Sequence, residues 1–216
     1  MTFKWDYTRW STFDLCPFKY HQRYIERAPE GPPSEALMKG RRAHTVIEAI
    51  IRNPRAEDSY GLHVKAASYV QQVSVFDDKL VEHKLTLDRD WKMSRNVWLT
   101  LKMDVVYQTD DGDTLEVVDW KTGRTKAAEY KEQVRLYSVA AASIWSTPMI
   151  RATIVNVDDG AVISETMERA RVLEDRPRWD ARAALMEKEK RFEPRPNKYC
   201  DWCGFGRSKG GRCIYG

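Results

Sequence analysis

The sequence predicts an α/β or α+β domain in which helical segments flank a run of strands. Apolar residues recur at three- and four-residue steps near the start of the chain, whereas they alternate with polar residues in its middle. The turn sequence Asp110-Asp111-Gly112-Asp113 separates two of these alternating segments and indicates a β-hairpin.

The first part of the chain is predicted to be helical. Helical spacing covers residues 8–26, where Pro17 opens a second turn or a kink. After a segment rich in proline and glycine, Ser34 is a candidate N-cap for a helix that runs to about Ile51. His44 lies on the apolar side of this helix, and a further helix is expected over about 61–75.

The second part is predicted to mix strands with helices. Residues 79–87 and 96–108 alternate as strands do, and residues 115–120 form the apolar strand that follows the hairpin turn. Helical spacing returns over 128–146. Two more strands are expected at 150–157 and 161–166, followed by a charged helix over 168–191.

The composition indicates a globular protein. Of the 216 residues, 42% are hydrophobic and 31% charged, which excludes a disordered or collagen-like chain. No apolar run approaches the ~20 residues that cross a bilayer, and the N-terminal residues lack the layout of a secretory signal. We therefore expect no membrane association and a cytoplasmic location. The net charge of +4 is compatible with a polyanionic partner but does not prove one.

The four cysteines are too sparse for a disulfide scaffold. Cys200 and Cys203 have the two-residue spacing that lets two thiolates reach one metal, and Cys213 follows in a glycine-rich stretch. Cys16 is the remaining cysteine, so a four-thiolate site would join the two ends of the chain. The alternative is a redox-active or merely buried pair at Cys200 and Cys203. Spacing does not separate zinc from an iron–sulfur cluster.

A carboxylate–lysine pair ends the predicted strand 115–120. Alternate strand residues point the same way, so Asp119 and Lys121 share a face about 6.6 Å apart. The same spacing recurs at four other places, including Asp90 and Lys92, but only this pair ends an apolar strand. Asp104, inside the hairpin partner, needs a cation or hydrogen bonds if it is buried. The pattern predicts a Mg²⁺ or Mn²⁺ site; the alternative is a structural salt bridge between Asp104 and Lys121.

Three further polar residues are ambiguous by themselves. A lone histidine on an apolar helix face, such as His44, is more often a core residue than a ligand. Gln133 and Tyr137 lie one helical turn apart and therefore share a face. An amide and a phenol in this arrangement can grip a nucleotide or order a lysine, but such pairs are common.

In their order along the chain, five segments resemble the RecB-like nucleases of the PD-(D/E)XK superfamily. The terminal cysteines are similar to those of its iron–sulfur branch, which includes the nuclease of CRISPR adaptation and the nuclease domains of AddB-type helicases. The resemblance runs from Ser11 to Cys213. The segments are Ser11-Thr12-Phe13-Asp14-Leu15-Cys16-Pro17, Gly40-Arg41-Arg42-Ala43-His44, Met103-Asp104-Val105-Val106, Val118-Asp119-Trp120-Lys121-Thr122-Gly123 and Gln133-Val134-Arg135-Leu136-Tyr137.

The resemblance implies an α/β fold with a restriction-endonuclease-like core. This core is a central mixed sheet flanked by helices, with a Cys-ligated cluster that joins the N- and C-terminal segments. We expect a single nuclease domain over 1–216. Its parts are an N-terminal helical part at 1–60, a nuclease core at 77–192 and a cysteine-rich tail at 193–216 that packs on the Cys16 region.

The resemblance also implies a role for each site residue. Asp104, Asp119 and Lys121 would be catalytic, and Gln133 and Tyr137 would position the substrate and the lysine. The metal ligands for Mg²⁺ or Mn²⁺ would be His44, Asp104, Asp119 and the carbonyl of Trp120. A [4Fe–4S] cluster, with zinc as the alternative, would be held by Cys16, Cys200, Cys203 and Cys213.

The implied function is a metal-dependent DNA exonuclease acting on single strands or duplex ends. It would serve recombination, repair, phage DNA processing or CRISPR adaptation. Its partners would be recombination, helicase or CRISPR-adaptation proteins, and a phage-encoded protein would act in the host cytoplasm. The alternative is a DNA-binding or recombination-partner module with a structural metal cluster and little or no cleavage. Candidate DNA contacts are Tyr20, Arg23, Tyr24, Trp202 and Arg207.

Overall fold

A five-stranded mixed sheet organises residues 34–176. The computed structural model describes residues 3–124 and 127–215, without the side chains of residues 127–129. The strand order is β1-β2-β3-β4-β5; β3 and β4 are parallel and every other neighbouring pair is antiparallel. The predicted mixed sheet and its hairpin are confirmed. The strands are β1 (Leu80–Leu87), β2 (Leu99–Gln108), β3 (Thr114–Lys121), β4 (Met149–Asn156) and β5 (Val162–Glu168).

Helices cover both faces of this sheet. Helices α3 (Glu35–Arg52) and α4 (Val64–Ser74) pack on the face that carries Val105, Val118 and Val155. Helix α5 (Ala127–Ile144) makes the parallel crossover and places Val134 against Ala152 and Ile154 on the opposite face. The predicted flanking helices are therefore confirmed, and the alternation along each strand decides which residues meet which helix.

Helix α3 begins where its sequence predicts. The side chain of Ser34 accepts a hydrogen bond from the Leu37 amide at 3.3 Å, which satisfies one of the free donors of the first turn. Ile47 and Ile51 are at most 1% exposed, and burial of each contributes roughly 1.5–3 kcal/mol. Leu37, by contrast, is 48% exposed, so the buried stripe does not extend to the first turn.

Residues 3–33 and 177–215 form a second compact unit. The predicted helix 8–26 is divided, because Cys16 adopts an extended conformation with φ of −160°. Trp5, near the start, stacks on Trp179 at 6.3 Å. This unit contains α1 (Tyr7–Leu15), α2 (Pro17–Tyr20), a π-helical turn (His21–Ile25) and the short 3-10 turns Cys200–Trp202 and Arg207–Lys209.

The charged segment 168–191 forms two helices rather than the single predicted one. These are α6 (Arg169–Leu173) and α7 (Arg176–Lys188). Pro177 stands in the first turn of α7, where its missing N–H is tolerated, whereas inside a continuous helix it would break a hydrogen bond. None of the described helices is long and apolar enough to span a membrane.

Candidate active site and cysteine cavity

The β2–β3 hairpin brings Asp104 and Asp119 together. Val105 pairs with Val118, so the next step along the ladder puts the two aspartates opposite each other. Both are buried, at 8% and 2% exposure. One carboxylate oxygen of Asp104 accepts a hydrogen bond from the Trp120 amide at 2.8 Å. Burying a carboxylate without such partners costs free energy, so two buried carboxylates side by side indicate a functional site rather than ordinary core packing.

Lys121, Gln133 and Tyr137 form a connected chain beside Asp119. The Lys121 ammonium forms an ion pair with Asp119, rather than the alternative salt bridge with Asp104, and donates to Gln133 Oε1 at 2.8 Å. Gln133 Nε2 donates to Asp119 at 3.1 Å and to the Tyr137 hydroxyl at 2.7 Å. One amide side chain thus holds both the carboxylate and the ammonium in place.

His44 reaches Asp104 from helix α3 and also lies near Glu82. Its Nδ1 lies 3.3 Å from Asp104 Oδ1 and 4.0 Å from Glu82 Oε1. One ligand atom from each of these three residues lies within 4.8 Å of the others. Imidazole nitrogen and carboxylate oxygens are a donor set that suits a hard divalent cation. The histidine is therefore not enclosed in the core, since its side chain is 33% exposed.

Glu82 is the member of this group that sequence reasoning missed. It lies in β1 across from Asp104, between Val81, which pairs with Val105, and His83, which pairs with Met103. Its φ of +54° is rare for a residue with a side chain, and its carboxylate also pairs with Lys102. The sequence does contain a signal, namely an acidic residue in a strand that aligns with Asp104. Because acidic residues two positions before a lysine recur along the chain, this signal does not distinguish Glu82 from surface charges.

Burial and neighbouring charges shift the proton affinities of this group. Burial raises the pKa of Asp119 to about 6; the Lys121 ammonium opposes this shift and Asp104 reinforces it. Burial lowers the pKa of His44, but the hydrogen bond and charge of Asp104 outweigh it and hold the pKa above its usual value. A buried carboxylate whose pKa is raised in this way, beside a second carboxylate, is typical of sites where a cation or a reaction uses the charge.

The backbone after Lys121 is held at several points. Asn156 donates to the Gly123 carbonyl at 2.8 Å, and Asp158 accepts from the Gly123 amide at 2.6 Å. Asp158 also accepts from Lys39 at 2.8 Å and from the Tyr60 hydroxyl at 2.6 Å. These bonds tie the segment that follows Lys121 to helix α3 and to the end of β4.

The other predicted ligand, the Trp120 carbonyl, lies between Asp119 and Lys121 in β3, and its role stays a prediction. The Trp120 ring packs on the opposite face of the sheet, 6.0 Å from the ring of Tyr69.

The four cysteines line one cavity in the second unit, and all four are free thiols. The backbone amides of Lys19 and Arg195 point at Cys16 Sγ, at 3.5 and 3.4 Å. Burial raises the pKa of the Cys213 thiol, and the charges of the other three cysteines act in the same direction. Convergent thiols that receive backbone N–H groups fit a four-thiolate centre, because such donors stabilise thiolate ligands.

A tight loop returns the chain from Cys203 to Cys213. Gly206 bridges to Cys213, whose amide donates to the Phe205 carbonyl at 3.0 Å. At Gly211 a Cβ atom would meet that same carbonyl oxygen at 2.1 Å, so only glycine fits this approach. The nine residues between the two cysteines are therefore folded back on themselves.

Three of the five candidate DNA contacts take part in internal packing. Tyr20 is 3% exposed and packs between Phe13 and Phe192, which contradicts a base-stacking role. Arg23 is paired with Glu30, and Tyr24 packs against Tyr20 at 5.4 Å.

One family model matches most of the chain. The profile of the PD-(D/E)XK nuclease superfamily matches residues 4–98 and 63–208. No curated protein matches the sequence. Solved structures do match; one, described as the crystal structure of SSO0001, covers 95% of this chain and 84% of its own, with 16% identity and a TM-score of 0.48.

Proposed function

Because the chain belongs to the PD-(D/E)XK nuclease superfamily, we propose that it is a metal-dependent deoxyribonuclease. The observation that carries the proposal is the position of Asp104, Asp119 and Lys121 on adjacent strands, with Gln133 linking Asp119 to Lys121. The more specific proposal is an exonuclease that hydrolyses single strands or DNA ends.

His44, Asp104 and Asp119 would hold a Mg²⁺ or Mn²⁺ ion, with the Trp120 carbonyl as a further ligand and the Glu82 carboxylate near enough to His44 and Asp104 to contribute. The buried carboxylates support this, since their negative charge exceeds what Lys121 balances. The ion would polarise the scissile phosphate and favour deprotonation of the attacking water.

The chain's own residues would then act on the phosphate. Water attacks the phosphorus in line with the bond to the ribose 3′-oxygen; that bond breaks as the new P–O bond forms. The extra negative charge of the pentacovalent phosphate faces the Lys121 ammonium, which is already oriented by Gln133 and needs little reorganisation. Tyr137 accepts a hydrogen bond from the amide of Gln133 and so orients Lys121 indirectly, through Gln133.

Substitution of Asp119 and of Lys121 by alanine tests this proposal. Each variant should lose at least about 100-fold in Mg²⁺- or Mn²⁺-dependent cleavage of labelled DNA. Asp90→Ala and Lys92→Ala are matched controls, because this exposed pair has the same spacing. Unchanged cleavage by both active-site variants would refute the proposal. DNA binding without turnover by the wild type, in either metal, would favour a binding module instead.

The exonuclease assignment has its own test. A covalently closed single-stranded circle offers no end, so the protein should degrade a linear strand of the same sequence and leave the circle intact. Equal cleavage of both would identify an endonuclease. The proposed cellular role is DNA processing in the cytoplasm, in recombination, repair, a phage or CRISPR adaptation.

We further propose that Cys16, Cys200, Cys203 and Cys213 hold a [4Fe–4S] cluster. Their shared cavity, free thiols and backbone N–H donors support it. Protein purified without oxygen should be brown, with visible absorbance that bleaches on reduction and about four irons per chain by metal analysis. Cys213→Ala should lower the iron content. A colourless wild type with stoichiometric zinc would overturn the cluster and leave the nuclease proposal untouched.

A further inference from the structure

Trp202 is exposed to an unusual degree. Its exposed fraction is 77%, although tryptophan is among the residues that are buried most on average. It is the third residue of the 3-10 turn Cys200–Trp202, between two cysteines that face the cavity. Within the described part of the chain, its ring stacks on no other aromatic ring.

The segment 198–213 has two sides of different character. Cys200, Cys203 and Cys213 line the cavity, and Phe205 is 3% exposed. Trp202 is absent from the cavity lining and is exposed to solvent. Because a compact loop closed at Gly206 and Cys213 fixes the inward side, the outward ring is carried by an ordered turn rather than by a free end.

The same segment is also strongly basic. Four basic residues and one acidic residue lie between positions 198 and 212, a net charge of +3 against +4 for the whole chain. All four basic side chains are exposed, and none forms an ion pair with a described residue. They are Lys198, Arg207, Lys209 and Arg212. We call these four residues and Trp202 the tail surface.

An exposed indole in a segment whose four cations form no ion pair with a described residue fits single-stranded nucleic acid; Lys198 also lies 5.2 Å from the Tyr199 ring centroid. Bases in a single strand present free faces that stack on an aromatic ring, while its phosphates attract lysine and arginine. A duplex offers the same phosphates but keeps its base faces covered. Tyr199, Ile214 and Tyr215 are also exposed in this region, but a protein partner would not require so many positive charges without carboxylate partners.

We propose that the tail surface binds single-stranded DNA, with Trp202 stacked on a base and the four cations on neighbouring phosphates. The proposal rests on the proposed function for the identity of the nucleic acid, and it assigns the strand contact to residues 198–212. The interaction is independent of base sequence, since every base has a face that can stack.

The experiment measures binding rather than cleavage. Fluorescence anisotropy of labelled oligothymidylate and of a labelled blunt duplex is recorded with full-length protein carrying Asp119→Ala, over a series of salt concentrations. Trp202→Ala should weaken binding to the single strand roughly 5- to 100-fold. Trp202→Phe should retain most of the affinity, and Trp202→Leu should lose it, because leucine is apolar but cannot stack.

The basic residues have a separate signature. The salt dependence of single-strand binding falls by about 0.7 per lost phosphate contact. The double variant Arg207→Gln/Lys209→Gln should therefore lower the slope of log K against log salt by about 1.4. Trp202→Ala should leave that slope unchanged. Ile214→Ala is the matched control, as it removes a neighbouring apolar side chain that is 65% exposed.

Three outcomes would overturn the proposal. If Trp202→Ala bound the single strand as tightly as the parent protein, the indole would make no contact with DNA. Binding by Trp202→Leu equal to Trp202→Phe would show an apolar contact of the kind a protein partner uses. An equal loss for the strand and the duplex would exclude stacking. If the wild type fails to cleave DNA but binding still depends on Trp202, only the nuclease proposal fails.

Discussion

Gln133 holds two charged groups at once, and its removal tests whether the site depends on that geometry. The perturbation is Gln133→Ala. It removes a hydrogen bond to the Lys121 ammonium and one to the Asp119 carboxylate. Each such bond to a charged group contributes about 1.5–3 kcal/mol. The Lys121–Asp119 ion pair persists, and water enters the partly exposed space left by the amide. We therefore expect the stabilisation of the transition state to fall by about 2–3 kcal/mol, which lowers the cleavage rate roughly 30- to 150-fold.

Tyr137→Phe perturbs the same chain from its far end. It removes one neutral hydrogen bond to Gln133, which contributes about 1 kcal/mol, or roughly fivefold in rate. Because Tyr137 acts through Gln133, the double variant should be no slower than Gln133→Ala alone. This non-additivity separates a positioning residue from one that contacts the substrate.

The assay is single-turnover cleavage of an end-labelled strand with saturating protein and metal. Arg135→Ala is the control on the same helix, since the ion pairs of that side chain with described residues are those with Glu132 and Glu165 at the surface. A Gln133→Ala rate within threefold of wild type would refute the argument. So would a double variant whose loss equals the sum of the two single losses, because Tyr137 would then act independently.

Three further predictions follow from other contacts. Hydrogen bonds from Lys39, Tyr60 and Gly123 outweigh burial and hold the pKa of Asp158 below its usual value. The ionised carboxylate therefore stabilises the fold above about pH 4, and this contribution is lost in acid. Asp158→Asn should flatten the acid side of the curve of unfolding free energy against pH. Glu82→Gln should weaken Mn²⁺ binding roughly tenfold by calorimetry, and Lys102→Ala should strengthen it by freeing Glu82. Glu116→Ala should lower the free energy of unfolding, measured by urea denaturation, by about 3 kcal/mol.

Much of the fold and part of the site could be predicted because they follow from short periods. The two-residue period of a strand puts Asp119 and Lys121 on one face, and the four-residue period of a helix puts Gln133 beside Tyr137. The hairpin turn at residues 110–113 then determines that Asp104 lies opposite Asp119. Each of these contacts depends on a few neighbouring residues, which a sequence displays directly.

The features that escaped prediction depend on contacts between distant segments. Glu82 adopts a positive φ without being glycine, and no local pattern signals this conformation. Its acid–x–lysine spacing is shared with exposed pairs such as Asp90 and Lys92. The break between α1 and α2, by contrast, follows from a local signal, because the residue before a proline is pushed out of the helical region and Pro17 then opens the second helix.

Two buried carboxylates on β3 show how a structural acid differs from a functional one. Glu116 accepts hydrogen bonds from Tyr69, Tyr107 and Thr153 and pairs with Arg151, so its charge is fully compensated. On the other face, Asp119 pairs with Lys121 and lies beside Asp104, which forms a cluster with Glu82 and His44. The first arrangement gains nothing from a cation. The second carries negative charge that the chain leaves only partly balanced, and a divalent ion would complete it.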